Sequence, residues 1–298
     1  MRCWAVPETL VRPLSARNQP FIIHHSSLII PLRISVTVIT LNEEEHLGRC
    51  LESVRGVADE SIVVDAGSRD RTCVVAARWG ARVYKRNWTN YSDQKNFAAA
   101  QASHEWILSL DADECLSPTL RRQLLEVKAH PAPANAYEFP RRAFYLGRWI
   151  RHCGWYPDRK PRLYRRCRGQ WVGDFVHEHL ACEGPVGRLE GDLLHYTCDS
   201  VSDHARRVGK YTTLAARDLQ ARGIRSSPLK ILGSPVVAFV SSYCFKAGFM
   251  DGLQGFLISA FAAYYNFLKY SKLWDLQRSR PPGQASGAKT GDDRGSLP

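Results

Sequence analysis

The chain has 298 residues, 44% of them hydrophobic and 23% charged, which is long enough for a sizeable core and ordinary for a soluble globular protein. Its 41 Lys and Arg against 29 Asp and Glu leave a net charge of +12, which calls for an anionic partner or surface without choosing among nucleic acid, anionic lipid and phosphorylated small molecules. The nine cysteines include no Cys-x-x-Cys pair, which excludes a zinc knuckle and a thioredoxin-like motif and fits free thiols in a reducing cytosol.

Residues 1–32 read as an N-terminal extension. The apolar stretches Phe21-Ile22-Ile23 and Leu28-Ile29-Ile30 are interrupted by His24, His25 and two serines, and no clear small-residue cleavage site follows, which argues against a signal peptide. From residue 33 the pattern is regular. Ile34 to Ile39 is a β-branched strand ending at Thr40-Leu41-Asn42, and Glu44, Leu47, Cys50, Leu51 and Val54 recur at helical spacing. Ser61–Val64 predicts a second strand, closed by Asp65-Ala66-Gly67-Ser68. A helix from Arg71 to Trp79, a strand over Ala81–Tyr84 and a helix over Ser92–Ala102 follow. Trp106–Leu110 predicts a fourth strand ending at Asp111, and Ser117-Pro118 caps a helix to about Val127.

Such alternation implies a parallel sheet covered on both faces, whose ligands bind beyond the carboxyl ends of the strands. Three of those ends carry polar residues: Thr40 to Asn42, Asp65, and Asp111 to Asp113. Two carboxylates one residue apart at a strand end suit a hard divalent cation that shares its ligands with phosphate. Asp65 could accept hydrogen bonds from a base or ribose, or could belong to a turn and helix start around Ser68 and Asp70. Lys95 could reach a phosphate, although a lone helical lysine is usually solvated.

Residues 136–198 predict short strands at Tyr137–Phe139, Arg162–Arg165, Phe175–His177 and Leu193–Tyr196. Ser200 with Asp203 opens a long helix to about Ala221. The apolar stretches Ile231–Phe245 and Leu253–Leu268 are about 15 residues each, short of the ~20 needed to span a bilayer, and lysines bracket them. Phe245, Phe249, Leu253, Phe256, Ala260 and Tyr264 recur at helical spacing. This region is either a helix pair packed on the domain or an interfacial segment on an anionic membrane. Arg141, Arg142, Arg148, Arg151, Arg159, Arg162, Arg165 and Arg166 are either contacts for acceptor phosphates or plain surface charge. Residues 279–298 read as a disordered tail.

In combination, Val-Ile-Thr-Leu-Asn-Glu-Glu from Val38, Val-Asp-Ala-Gly-Ser-Arg-Asp-Arg-Thr from Val64 and Trp-Ile-Leu-Ser-Leu-Asp-Ala-Asp-Glu from Trp106 resemble family 2 glycosyltransferases. Asn-Tyr-Ser-Asp-Gln-Lys-Asn-Phe-Ala and Val-His-Glu-His are similar to the branch of lipopolysaccharide-core β-1,4-glucosyltransferases. The resemblance implies an α/β fold of GT-A type, a mostly parallel sheet with flanking helices over residues 33–225. A C-terminal amphipathic helical region at 226–278, suited to a membrane surface, would follow. It implies inverting transfer from a nucleotide-diphosphate sugar (UDP-glucose-like) to a glycan or lipid-linked acceptor such as lipopolysaccharide core. Thr40, Leu41, Asn42 and Glu44 would line the nucleotide pocket with Asp65 on uridine or ribose. Asp111, Ala112 and Asp113 would serve ribose, metal and diphosphate, with Mg2+ or Mn2+ as the metal. Glu178 would be the base, and His195 would complete the metal site unless it is a structural histidine. His177 and His179 could instead ligate zinc, for which no third ligand of matching spacing is evident.

The implied address is the cytoplasm, on the inner face of the cytoplasmic membrane, with no nucleic-acid partner. A Rossmann dehydrogenase lacks support because no Gly-x-Gly-x-x-Gly follows the first strand, and no nucleic-acid-binding module is recognisable. A nucleotidyltransferase acting on sugar phosphates, which also uses paired carboxylates, and a basic nucleic-acid-binding protein, which would fit the charge, stay open as alternatives.

Overall fold

The structure is a computed structural model that describes residues 31–173, 178–198 and 200–278. The extension over 1–30, the tail over 279–298, the strand expected at Phe175–His177 and the zinc reading of His177 therefore lie outside the described residues.

The first half alternates strand and helix: β1 (Ile34–Thr40), α1 (Leu47–Ser53), β2 (Glu60–Asp65), α2 (Thr72–Arg78), β3 (Arg82–Lys85), α3 (Tyr91–Ala100) and β4 (Trp106–Asp111). β1 is buried on both faces, its polar Ser35 and Thr37 included, as befits a central strand covered by helices on either side. β2 and β4 flank β1 in parallel, and β3 pairs with β2. A short β5 (Glu114–Leu116) leads to α4 (Pro118–Ala129), where the Ser117 hydroxyl accepts from Leu120 N at 3.2 Å and Pro118 occupies the first turn. α3 starts one residue earlier than its sequence suggests, because Asn90 is its cap and accepts from Asp93 N.

The second half extends the same sheet. β6 (Ala136–Tyr145) spans ten residues, not the three expected, and runs straight through Pro140. A proline lacks the N–H that a ladder needs, but here β11 pairs with β6 at 136–138 and β12 only from Arg141, so Pro140 falls in the gap between them. After β6 come β7 (Arg148–Trp149), β8 (Asp158–Arg165), β9 (Gly169–Val172), β10 (His179–Cys182), β11 (Val186–Arg188) and β12 (Leu193–Cys198). The sheet order is β3-β2-β1-β4-β8-β6-β12-β5, with β9 and β10 as a separate hairpin.

α5 (Val201–Ala221) is capped by the Ser200 hydroxyl, which accepts from Asp203 N. α6 (Pro228–Val240) continues into a π-helical turn (Ser241–Phe245), and a 3-10 turn (Gly248–Asp251) leads to α7 (Gly252–Arg278), which packs on both α5 and α6. Two sequence expectations change here. Pro228–Phe245 forms one unbroken 18-residue run, by length and composition enough to cross a membrane, because the helix begins earlier than Ile231. The aromatic stripe is not one helical face, since left-handed Ala247 (φ 51°) and Gly252 (φ 64°) break the chain between Phe245 and Leu253.

Candidate active site

The register of the sheet brings the polar strand ends together: Thr40 lies beside Asp65, and Ile39 beside Asp111. The loops that follow β1 and β2 are then sewn to each other. Asn42 N donates to the Ser68 hydroxyl (2.8 Å) and its side-chain oxygen accepts from Arg69 N (2.9 Å), an arrangement that needs the left-handed backbone at Asn42 (φ 57°). Glu43 N donates to the Thr72 hydroxyl, and the Glu44 carboxylate accepts from Arg71 N and Nε, each at 3.0 Å.

Asp65 is buried, and its carboxylate accepts from Ser68 N (2.9 Å), Gly67 N (3.0 Å) and the hydroxyls of Ser68 and Thr40. Burial works to raise its pKa, but those hydrogen bonds prevail and hold it below the ordinary carboxylate value. The turn around Ser68 is therefore formed, and it is compatible with Asp65 also meeting a base or ribose. Gly67 supplies the positive φ (97°) that this turn requires.

Asp111 sits in a buried ionic cluster. Lys95 Nζ meets one of its oxygens at 2.9 Å, and an Arg162 Nη meets the other at 2.9 Å. Arg162 also holds Glu114 (2.8 Å), which is 0% exposed and accepts from Asp111 N on its other oxygen. Burial would push the Asp111 carboxyl up, yet Lys95 and Arg162 overrule it and keep it well below the carboxylate range. Lys95, which the sequence reading offered as a phosphate contact, is placed against this carboxylate. It is 2% exposed, its charge is committed to Asp111, and the Trp171 ring covers it at 4.3 Å.

Asp113 is differently placed. His195 Nε2 stands 3.2 Å from its carboxylate, and the His195 Nδ1 is within 3.2 Å of the Thr197 hydroxyl, which fixes the ring orientation. β12 brings this histidine alongside through Tyr196 N donating to Asp113 O at 3.0 Å. A carboxylate beside an imidazole nitrogen is a donor pair that suits Mn2+ or Mg2+ when a diphosphate fills further positions. No cluster of three or more His, Cys, Asp or Glu of metal-binding proximity occurs among the described residues. Because each Asp111 oxygen already faces a buried cation, Asp113 and His195 have the stronger claim on a metal.

One cleft of about 870 Å³ gathers the predicted residues Thr40, Leu41, Asp111, Ala112, Asp113, Glu178 and His195. That volume is of the size that holds a small-molecule ligand. Asn42, Glu44, Asp65 and Lys95 are not among the residues that line it. Glu178 is half-buried and near enough to Arg162 and Tyr91 for its charge to act on both. Of the arginines singled out by sequence, Arg141 alone lines the cleft. Arg142, Arg159 and Arg165 pair instead with Asp192, Glu190 and Glu105.

The far wall was not foreseen. It comes from Trp155, from His204, Arg207 and Tyr211 on α5, and from Tyr265 on α7. His204 stacks on Phe261 at 3.9 Å and lies 2.8 Å from the Tyr145 hydroxyl. Burial, with Arg207 beside it, pushes its imidazole pKa down to about 4. Their spacing along α5, at positions 204, 207, 208 and 211, is the trace in the sequence of one helical face.

The sequence profile described as Glycosyl transferase family 2 matches residues 35–181. The chain is 33% identical to the lipopolysaccharide core biosynthesis glycosyltransferase LpsC of Rhizobium meliloti (strain 1021), covering 85% of this chain and 97% of that one. It is 28% identical to an uncharacterized glycosyltransferase of Rickettsia prowazekii (strain Madrid E), over 82% and 87% of the two chains. Among solved structures, glucosyl-3-phosphoglycerate synthase from Mycobacterium tuberculosis, in complex with Mn2+, UDP and glucosyl-3-phosphoglycerate, aligns with a TM-score of 0.45 and 17% identity, over 66% of this chain and 82% of that one. The chain belongs to glycosyl transferase family 2.

Proposed function

We propose that this chain transfers a hexose, with inversion, from a UDP-glucose-like donor to a hydroxyl of a glycan or lipid-linked acceptor such as lipopolysaccharide core. The observation that carries this reading is that the Asp113–His195 pair and Glu178 line one cleft at the carboxyl ends of β1 and β4. Thr40 and Leu41 line the donor side, and the latched loops behind them hold that side in shape. Asp113 and His195 would hold a divalent metal, Mg2+ or Mn2+, which would supply positive charge against the departing diphosphate. Asp111, fixed by Lys95 and Arg162, offers carboxylate oxygens as hydrogen-bond acceptors at the ribose side.

Glu178 takes the proton from the acceptor hydroxyl as that oxygen bonds to the anomeric carbon. The bond from the anomeric carbon to the diphosphate breaks on the opposite face, and UDP leaves with its electron pair. The aromatic far wall, with Trp155 and Tyr265, suits an acceptor sugar. The similarity to LpsC, a lipopolysaccharide core biosynthesis glycosyltransferase, supports an envelope acceptor.

The test is UDP release from UDP-glucose, and from a panel of other nucleotide sugars, with Mn2+ and envelope lipid extract. The expected result is UDP release that depends on metal and extract and leaves a product of inverted anomeric configuration. Release of pyrophosphate would identify a nucleotidyltransferase instead.

A further inference from the structure

The C-terminal helices carry an apolar surface that the fold leaves open. α6 has no buried side chain. Leu229 (81% exposed), Leu232 (70%), Val237, Phe245 (84%), Phe249 and Leu253 (69%) continue one another from α6 across the turns into α7. Scattered exposed apolar residues are ordinary, but a contiguous run of this kind marks an interaction surface.

Its charge is equally one-sided. Between Asp218 and Asp275 the sequence holds a single carboxylate, Asp251. That residue is buried, accepting from Arg151 N (3.1 Å) and His152 N (2.8 Å). Arg225 and Lys230 are exposed at the start of α6, and Arg148, Arg151 and Lys246 are exposed at its far end. Two copies meeting through this face would oppose like charges, whereas anionic lipid headgroups complement it.

The orientation follows from how α6 is tied down. At its start, the Ser226 hydroxyl donates to Tyr270 O (2.8 Å) and Gln277 donates to Ile224 O (2.7 Å), fastening it to α7. α7 is fastened in turn to α5 by Lys272, whose ammonium donates to Gly209 O and to the hydroxyls of Thr212 and Thr213. At its far end, Cys153 N donates to Lys246 O (3.0 Å), within the segment that carries Trp155 into the cleft. Both ends of α6 are thus held on the catalytic body, and a helix crossing the bilayer would need them on opposite sides.

We propose that α6 and the first turns of α7 lie in the plane of one leaflet of an anionic bilayer, a monotopic anchor that sets the cleft mouth at headgroup level. The surface itself stands apart from the donor chemistry, and only the lipid-linked nature of the acceptor rests on the glycosyl-transfer reading.

The full chain is floated with vesicles of phosphatidylglycerol and phosphatidylethanolamine, and separately with pure phosphatidylcholine. Binding to the anionic vesicles is expected. The double variant Leu232→Gln/Val236→Gln, altered only at exposed positions outside the cleft, should bind them about tenfold more weakly while keeping wild-type UDP binding in Mn2+. The added fluorescence of Val237→Trp, at the middle of α6, should be quenched most by lipids brominated near the headgroup. Strongest quenching by lipids brominated at the chain ends would place α6 across the bilayer and overturn the in-plane anchor. Absence of vesicle binding, or a dimer that the double variant dissociates, overturns the lipid surface. Vesicle binding without UDP binding in the wild type keeps the anchor and removes the donor reading instead.

Discussion

His195 Nε2 and a carboxylate oxygen of Asp113 lie 3.2 Å apart, side by side on two neighbouring segments joined by a backbone hydrogen bond from Tyr196 to Asp113. This is the spacing of a hydrogen bond between imidazole and carboxylate, and on the proposed function the pair would hold the metal separately from Asp111. Asp113→Asn should abolish metal-dependent UDP release, and His195→Ala should raise the Mn2+ concentration for half-activation at least about tenfold. An unchanged Mn2+ dependence in both variants would assign the metal elsewhere.

Lys95 tests whether the ionic cluster behind Asp111 is structural ballast or an obligatory counter-charge. A solvated helical lysine changes stability by no more than about 0.5 kcal/mol when replaced. Removing the partner of a buried carboxylate costs about 3–5 kcal/mol. With Nζ at 2.9 Å from Asp111 and almost no exposure, Lys95→Met is expected between those two ranges by urea denaturation, because Asp111 is 28% exposed and keeps Arg162, together with weakened donor binding. Arg162→Met should be at least as severe, since Arg162 holds both Asp111 and Glu114.

Glu178 separates binding from chemistry. Glu178→Gln keeps the shape of the cleft wall and removes the proton acceptor, so transfer should fall by about 10²–10⁴-fold. UDP affinity in the presence of Mn2+ should stay at the wild-type value by calorimetry. Full transfer activity in this variant would move the base to another residue.

His204 gives stability a pH signature. Its pKa is pushed down to about 4 in the folded protein, against about 6.5 in an unfolded chain. Between those values the unfolded state binds the extra proton, so stability is lost as pH falls from about 6.5 toward 4 and the loss levels off below that. From pH 7.5 to pH 5 the wild type should lose about 1–2 kcal/mol more than His204→Gln, measured by urea denaturation.

Much of the fold could be read ahead because its signals are local. β1 and β4 are short apolar runs ending in polar residues, and Ser117 and Ser200 announce their helices by side-chain caps that the structure contains. The Asp-Ala-Asp triplet and its strand end were equally legible. What escaped depended on distant partners. Glu114 is one residue beyond the triplet, but its importance comes from Arg162, 48 positions away. Lys95 looks like any helical lysine until β4, β8 and Trp171 close around it. β6 was cut short at Pro140 because the proline's missing donor matters only where a neighbour needs it, and the neighbours' registers are not written in that strand. The far wall of the cleft was hidden for a similar reason, since α5 shows an amphipathic pattern without saying which of its faces meets the site.

The stitching between the loops after β1 and β2 bears on how a donor would bind. Asn42, Glu43 and Glu44 are bonded to residues 68–72 before any ligand arrives. Ordering a loose side chain on association costs about 0.5–1.5 kcal/mol each, and here that entropy is already surrendered during folding. On the proposed function, the end of the cleft beside these loops is thus preorganised, so donor capture should resemble insertion into a rigid slot, with affinity set by contacts made and little subtracted for loop closure.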